Sequence, residues 1–441
     1  NAVETIVIQA PDDPTEDLAR YAAYDGGGKR DSDKRGGENI EEFDYTIQGA
    51  GTVAAPKKEK KDTGNSYRLS GSDRTSGGTG DGGASVLITG MENSVRVILT
   101  NGGDYYQSYV EFSCSTGVNV TSDGKAKSYK AGDIISLGSD EKASKIIVEP
   151  ENSDGVITVS SLSKSGGAPR YHGALDITKD SSGYLVVNQV NIEQYLYGVV
   201  SSEVSSSYSM EALKAQAVAA RTYTLKTLEG VKNQNFDVYS DVRSQMYKGG
   251  GKQYDSVKKA VDQTRGQVLT YEDKLFFTYY HANCGGATDD VRSWNFGAKS
   301  IKPLSGASCK YDSHSKSYKW TMNIARGKVE NYAKSVGLTG ALKNIKIVRK
   351  TDTGRATNLT IKTAKGTKTV PCGRFRLATG IRSCKITKLD VRKKDVHFEG
   401  KGYGHGIGMC QDGANGMAKS GKNYRKILKN YYPGAEITTL Q

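Results

Sequence analysis

Three stretches of this 441-residue chain bring together side chains able to do chemistry. The first is GVVSSEV (198–204), which sets the carboxyl of Glu203 in a polar turn between an apolar strand and a strong helix signal. Strand-to-helix turns are where clefts open, and apolar flanks favour a carboxyl that acts as a general acid. The second is GHGIGMCQDGA from Gly404, with His405, Cys410 and Gln411 among glycines at 404, 406 and 408. It lacks the Gly-Lys-[Ser/Thr] of a phosphate loop and opens no dinucleotide-binding βαβ unit. A Cys–His couple suggests a cysteine nucleophile, yet such couples usually join segments distant in sequence. The glycines suit close backbone approach to a ligand, and a tightly packed buried turn would satisfy the same pattern. The third is HxxC…CxxxxH, formed by His281, Cys284, Cys309 and His314. That spacing is compatible with a tetrahedral zinc site and so with a zinc hydrolase. Its alternative is a Cys284–Cys309 disulfide with His281 in a hydrogen-bond network.

Six cysteines are too few for a disulfide scaffold, and no CxxC pair points to a zinc ribbon. Cys284 with Cys309, and Cys372 with Cys384, are spaced for local disulfides in an oxidising compartment, leaving Cys114 and Cys410 over. CGRFRLATGIRSC (372–384) suits a strand pair closed by such a bridge, with Arg374 and Arg376 either facing an anionic substrate or solvated. Arg221 can face a cleft or form a structural ion pair. Tyr247, Trp294 and the Tyr279–Tyr280 pair offer either faces for stacking sugars or ordinary packing.

The elements that must position these groups follow from periodicity. SMEALKAQAVAARTYTLKTLEG (209–230) is the strongest helix signal: Met210, Leu213, Ala217 and Ala220 recur at helical spacing, Glu211 suits the N-terminus and Gly230 can end it. A second, short helix is expected around 422–431. Alternating β-branched runs broken by Gly, Asn and Asp predict a small β-rich domain at 85–165, with TSDGK as a hairpin turn. Residues 1–84 mix charge runs with Gly and Ser and read as a low-complexity linker or tail, apart from possible strands at VETIVIQ and FDYTIQ. Residues 265–280 and 344–400 read as further β. The expected fold class is α+β, a β-rich N-terminal unit followed by a mixed α/β domain at 166–441.

Charge narrows the partner. Residues 1–84 hold 11 basic and 16 acidic side chains, net −5, whereas the remainder carries net +19. A basic globular part implies an anionic partner, such as nucleic acid, an anionic membrane or a teichoic-acid-rich wall, or serves solubility alone. No apolar run approaches the roughly 20 residues that span a bilayer. The absence of Met and of a hydrophobic leader at the start is what a processed chain would show.

Three blocks carry a resemblance. YLYGVVSSEVSSSYSMEALKAQAVAARTYTL (195–225), YHANCGGAT (280–288) and GYGHGIGMCQDGANGMA (402–418) resemble, in order, the signature blocks of the stage II sporulation protein D and amidase-enhancer family, over roughly 165–435. The resemblance implies a peptidoglycan lytic transglycosylase of the bacterial wall, with Glu203 as the catalytic acid. A single carboxylic acid would protonate the MurNAc–GlcNAc glycosidic oxygen. Its carboxylate would then take the proton of the muramyl 6-hydroxyl, which closes on C1 as a 1,6-anhydro sugar. A second carboxylate is then unnecessary; Asp241, Asp289 or Asp412 across a cleft from Glu203 would instead make a lysozyme-like hydrolase. A third alternative is a non-catalytic wall-binding enhancer of a separate amidase. The same resemblance puts His405 and Gln411 at the glycan cleft, with Arg221, Tyr247 and His281 as further candidate substrate contacts, glycan strands as the partner rather than nucleic acid, and no cofactor other than a possible zinc. It implies an extracytoplasmic protein, secreted or wall- or membrane-associated, in a Gram-positive bacterium. Some relatives bind zinc in the loop after the first helix; the matching VRSQMY (242–247) has Arg243 and Ser244 in place of those ligands. Ser202 stands where many relatives have proline before the glutamate.

Overall fold

The computed structural model of the chain describes residues 94–101, 104–162, 167–230, 235–241, 243–249, 255–293 and 299–440, with the backbone of a short strand at Ser85–Val86. The expected linker at 1–84, including VETIVIQ and FDYTIQ, and Trp294 lie outside the described residues.

Alternating patterns set the strands. Val110–Cys114 (VEFSC) buries its first, third and fifth side chains, as a strand half-facing a core should. The TSDGK hairpin forms as expected: Asp123 and Gly124 both take positive φ between antiparallel strands Val118–Ser122 and Lys125–Tyr129. In the largest sheet the main path runs 238–239, 94–98, 183–191, 174–180, 145–150, 118–122 and 125–129. A second sheet stacks 170–171, 157–159, 110–114 and 135–137.

Seven helices are described. α1 spans Ile192–Glu203, α2 Met210–Gly230, α3 Asp255–Asp262, α4 Arg326–Ser335, α5 Cys372–Thr379, α6 Gln411–Lys419 and α7 Tyr424–Tyr431. The long helix and the closing helix thus stand where their periodicity put them. α2 is central: α1, α3, α6, α7 and the strand Gln267–Tyr271 all pack on it. Such burial all round needs small residues and satisfied polar ones. Ala212, Ala215, Ala217, Ala219 and Ala220 supply the first, and Thr222 and Thr224 bond back to the Val218 and Ala220 carbonyls.

Two expectations are corrected. The boundary expected at 165/166 does not divide the molecule: strand 94–98 pairs with 183–191, and one core runs from Val95 to Tyr432. The separable unit is an insert at 319–401, whose own core includes Trp320, Leu342, Ile361, Phe375 and Phe398. Within it, residues 372–379 form α5 rather than a strand pair, ended by Gly380 in the left-handed region. Phe375 and Arg376 turn inward there, and a helix buries both without strand pairing.

Candidate active site

α1 begins where Asn191 ends a long strand and accepts the Glu193 N–H at 2.9 Å, an N-cap that turns the chain into helix. The segment 192–203 is therefore helix, where an apolar strand leading to a turn was expected. Ser201 and Ser202 donate to the carbonyls of Tyr197 and Gly198, each at 2.7 Å, and Ser202 accepts the Lys248 N–H. Val204 leaves the helix in an extended conformation, so Glu203 is the last helical residue. Its side chain is half-buried, and Oε1 accepts the Met246 N–H at 3.0 Å.

Beneath Glu203 lie the phenols of Tyr195, Tyr223 and Tyr280, all buried. Burial is the largest cause that raises their hydroxyl pKa values, and the Glu203 charge adds to it in each case. They are neutral at any physiological pH and form a largely apolar floor, in which the Tyr280 hydroxyl is hydrogen-bonded and those of Tyr195 and Tyr223 meet no partner among the described residues. Gln245 ties it together: Tyr280 donates to its Oε1 at 2.8 Å, and its Nε2 donates to Thr224 at 2.7 Å. The loop carrying Met246 is held by Arg243, paired with Asp241 at 2.5 Å and laid over the rings of Tyr239 and Tyr105. A cation–π stack and an ion pair close this loop, at the place where the resemblance gives some relatives a metal.

The second and third sequence blocks meet as a parallel strand pair, Tyr280 opposite Met409 and His281 opposite Cys410. Neither histidine opens to a cleft. His405 is fully buried, donating Nε2–H to the Tyr280 carbonyl and accepting the Ile407 N–H at Nδ1. His281 Nδ1 bonds the Ile407 carbonyl, and its buried Nε2 meets no partner among the described residues. Burial holds both well below their usual range, His405 at about 3, with the Arg376 charge adding at His405 and the His405 and Arg355 charges at His281. Gln411 is buried against Gln216. All three were expected at the substrate; the structure instead buries them, with His405 bonded to the Tyr280 carbonyl, His281 to that of Ile407 and Gln411 to Gln216.

Two further corrections follow. Arg221 is 1% exposed and grips Glu193 through Nε and Nη2, with its remaining bonds to the carbonyls of Gln267 and Val261. It is a structural ion pair. Tyr247 is packed between Tyr171 and Tyr195 and donates to Asn188, so its faces are closed to a sugar, as are those of Tyr279 and Tyr280.

Residues that carried no sequence signal matter here. Arg355, from the insert, is buried against Asp289 at 2.8 Å and also reaches the Cys284 carbonyl. Gly406, at φ 87°, leaves the space for it: a Cβ would stand 2.4 Å from the guanidinium. Asp312 lies beside Cys284, its Oδ2 accepting from the Gly286 N–H. The six cysteines are all buried thiols, so neither expected disulfide is formed in the structure, though Cys372 lies beside Cys384 and Cys284 beside Cys309. His314 is exposed, away from the buried Cys284 and Cys309. His281 is engaged at Ile407. The four-residue zinc set expected from spacing is therefore not assembled.

A family model described as "Stage II sporulation protein" matches residues 180–271, the strand, α1, α2 and the loop just described. Stage II sporulation protein D of Bacillus subtilis (strain 168) is 30% identical over 270 residues, covering 57% of this chain and 76% of that protein. The chain belongs to the stage II sporulation protein D family. The amidase enhancer of the same bacterium is 30% identical over 300 residues, covering 55% of this chain and 40% of the enhancer. An uncharacterized protein of Brachyspira hyodysenteriae is 36% identical over 273 residues, 60% of this chain and 72% of that one. The matched span in this family member holds Glu203 and its Met246 partner. No helix among the described residues is long and apolar enough to cross a membrane.

Proposed function

We propose that this family member cleaves peptidoglycan glycan strands as a lytic transglycosylase outside the cytoplasm, with Glu203 as the single general acid and base. The observation that carries this reading is the seat of Glu203. It is a half-buried carboxyl at a helix C-terminus, with no basic residue in that last turn, near three neutral phenols and accepting the Met246 backbone N–H. The carbonyl end of the helix disfavours the anion and the Met246 N–H favours it, so both protonation states of a cycling acid have support. In the first half-reaction the carboxyl gives its proton to the glycosidic oxygen as the C1–O bond breaks. In the second the carboxylate takes the proton of the 6-hydroxyl as that oxygen bonds C1. Water is no reactant.

The carboxylates that would make a two-acid hydrolase are engaged elsewhere. Asp241 is paired with Arg243, Asp289 with Arg355, and Asp412 accepts from Tyr208 and Asn283. Digestion of purified, peptide-stripped glycan strands should yield 1,6-anhydromuramyl ends by mass spectrometry; reducing ends alone would sink the reading. The name of the 30%-identical amidase enhancer favours a second reading, wall binding that stimulates a separate amidase. No cleavage alone, with stimulation when an amidase is added, would select it.

A further inference from the structure

We propose that Cys284, Cys309, Cys410 and Asp312 form a closed, structural zinc site that clamps the second and third sequence blocks together behind the candidate active site. One potential ligand atom from each, three Sγ and one carboxylate oxygen, all lie within 4.8 Å of one another, and all four residues are buried. Ligands 2.3 Å from a tetrahedral centre stand about 3.8 Å apart, so the cluster needs only a small contraction to close on an ion. Three thiolates and a carboxylate suit zinc better than calcium or magnesium, which take oxygen ligands.

Three independent features point to a ligand. Asp312 Oδ1 is buried with no hydrogen-bond partner among the described residues, which a buried carboxylate rarely tolerates. The sulfurs are supplied with donors in the manner of coordinated thiolates. Cys410 Sγ accepts the N–H of Cys284 and of Gly413, each at 3.3 Å, and the Tyr431 hydroxyl lies 3.0 Å from Cys309 Sγ. The room is also kept: a Cβ on Gly413 would stand 2.5 Å from Cys309 Sγ and 2.1 Å from the Tyr431 oxygen. The set differs from the histidine-containing one expected from spacing, because the third block brings Cys410 into place through the pairing of His281 with Cys410. With all four ligands from protein and no opening to solvent, the site is a staple rather than a Lewis-acid centre.

The test is metal analysis of the chain purified without added metal, beside a thiol count under denaturing, non-reducing conditions. One zinc per chain with six titratable thiols after its removal is expected. Cobalt(II) exchanged into the site should show sulfur-to-metal charge transfer and tetrahedral d–d bands. Cys309→Ser should lose the metal, Asp312→Asn should weaken its retention against a chelator at least tenfold, and Cys372→Ser should leave it unchanged. Should Cys309→Ser fail to fold, the cobalt spectrum and Asp312→Asn still decide. A disulfide among Cys284, Cys309 and Cys410, or reduced thiols that take up no zinc on titration, would overturn the proposal. None of these readouts depends on glycan cleavage.

Discussion

On the proposed reading a single carboxyl, that of Glu203, gives up a proton and then recovers one, with the Met246 N–H as a hydrogen-bond donor to it. Glu203→Gln keeps the shape and the Met246 hydrogen bond but cannot cycle a proton. It should reduce anhydro-product formation by about 10²-fold or more with an unchanged melting temperature; equal activity would remove Glu203 from its role. The histidines behind it answer a different question. Each titrates near 6.5 when unfolded, whereas in the fold His405 is held at about 3 and His281 well below its usual value, chiefly by burial. Below pH 6.5 the unfolded chain gains protons that the folded chain refuses, so stability must fall as pH falls. Its full value is present above pH 6.5, and each histidine removes up to about 1.4 kcal/mol per pH unit below that. Comparing urea midpoints of wild type and His405→Gln between pH 7 and 5 should show a shallower slope in the variant. At this scale sequence reasoning could single out Glu203 as the candidate, because a carboxyl in a distinctive block is visible as such. It misjudged Arg221, Tyr247, His405 and Gln411, since residue type does not record which way a side chain faces.

At the scale of elements, the helix under Glu203 is held by one buried pair. Glu193, in the first turn of α1, and Arg221, in the middle of α2, are both nearly inaccessible and 2.6 Å apart. Glu193→Gln should cost about 3–5 kcal/mol, because it leaves the guanidinium charge buried without its counter-ion, and denaturant titration would measure it. A loss below about 1 kcal/mol would mean that the carbonyls of Gln267 and Val261 suffice. Gly406→Ala forces a Cβ into both a positive-φ backbone and the Arg355 side chain. It should destabilise by at least about 1 kcal/mol in the same assay. The helix 210–230 was legible because small and apolar residues recur along it. α1 was not: IEQYLYGVVSSE mixes β-branched and aromatic residues in a run that reads equally as strand, and its N-cap at Asn191 decides the matter. CGRFRLATG was misread for a related reason. The two cysteines suggested a bridge between strands, yet Gly380 is a helix C-cap in the left-handed region.

At the scale of the molecule, α+β class was legible and the domain boundary was not. Composition changes at residue 85, but nothing in it marks that strand 94–98 will pair with 183–191 or that the shared core ignores residue 165. Likewise the three blocks of the family announced a common site, while their order of assembly, first block over Tyr280 and third block behind it, depends on a strand pairing between segments distant in sequence. The insert's ends add a kinetic corollary. Lys319 and Lys401 face each other as the outermost partners of strands 319–325 and 395–401, so the insert leaves and re-enters the body at one spot. Once the insert has folded on its own core, the chain between His281 and Cys410 behaves as a loop shortened by the whole of 319–401. Closing it then costs about 1 kcal/mol less. Folding of the insert thus lowers the chain-entropy cost of pairing His281 with Cys410. Replacing the insert by a short turn between 319 and 401, with Asp289→Asn and Arg355 gone together, should leave refolding of the body as fast as in the full chain or faster. Slower refolding would assign the insert an active part in bringing the two strands together.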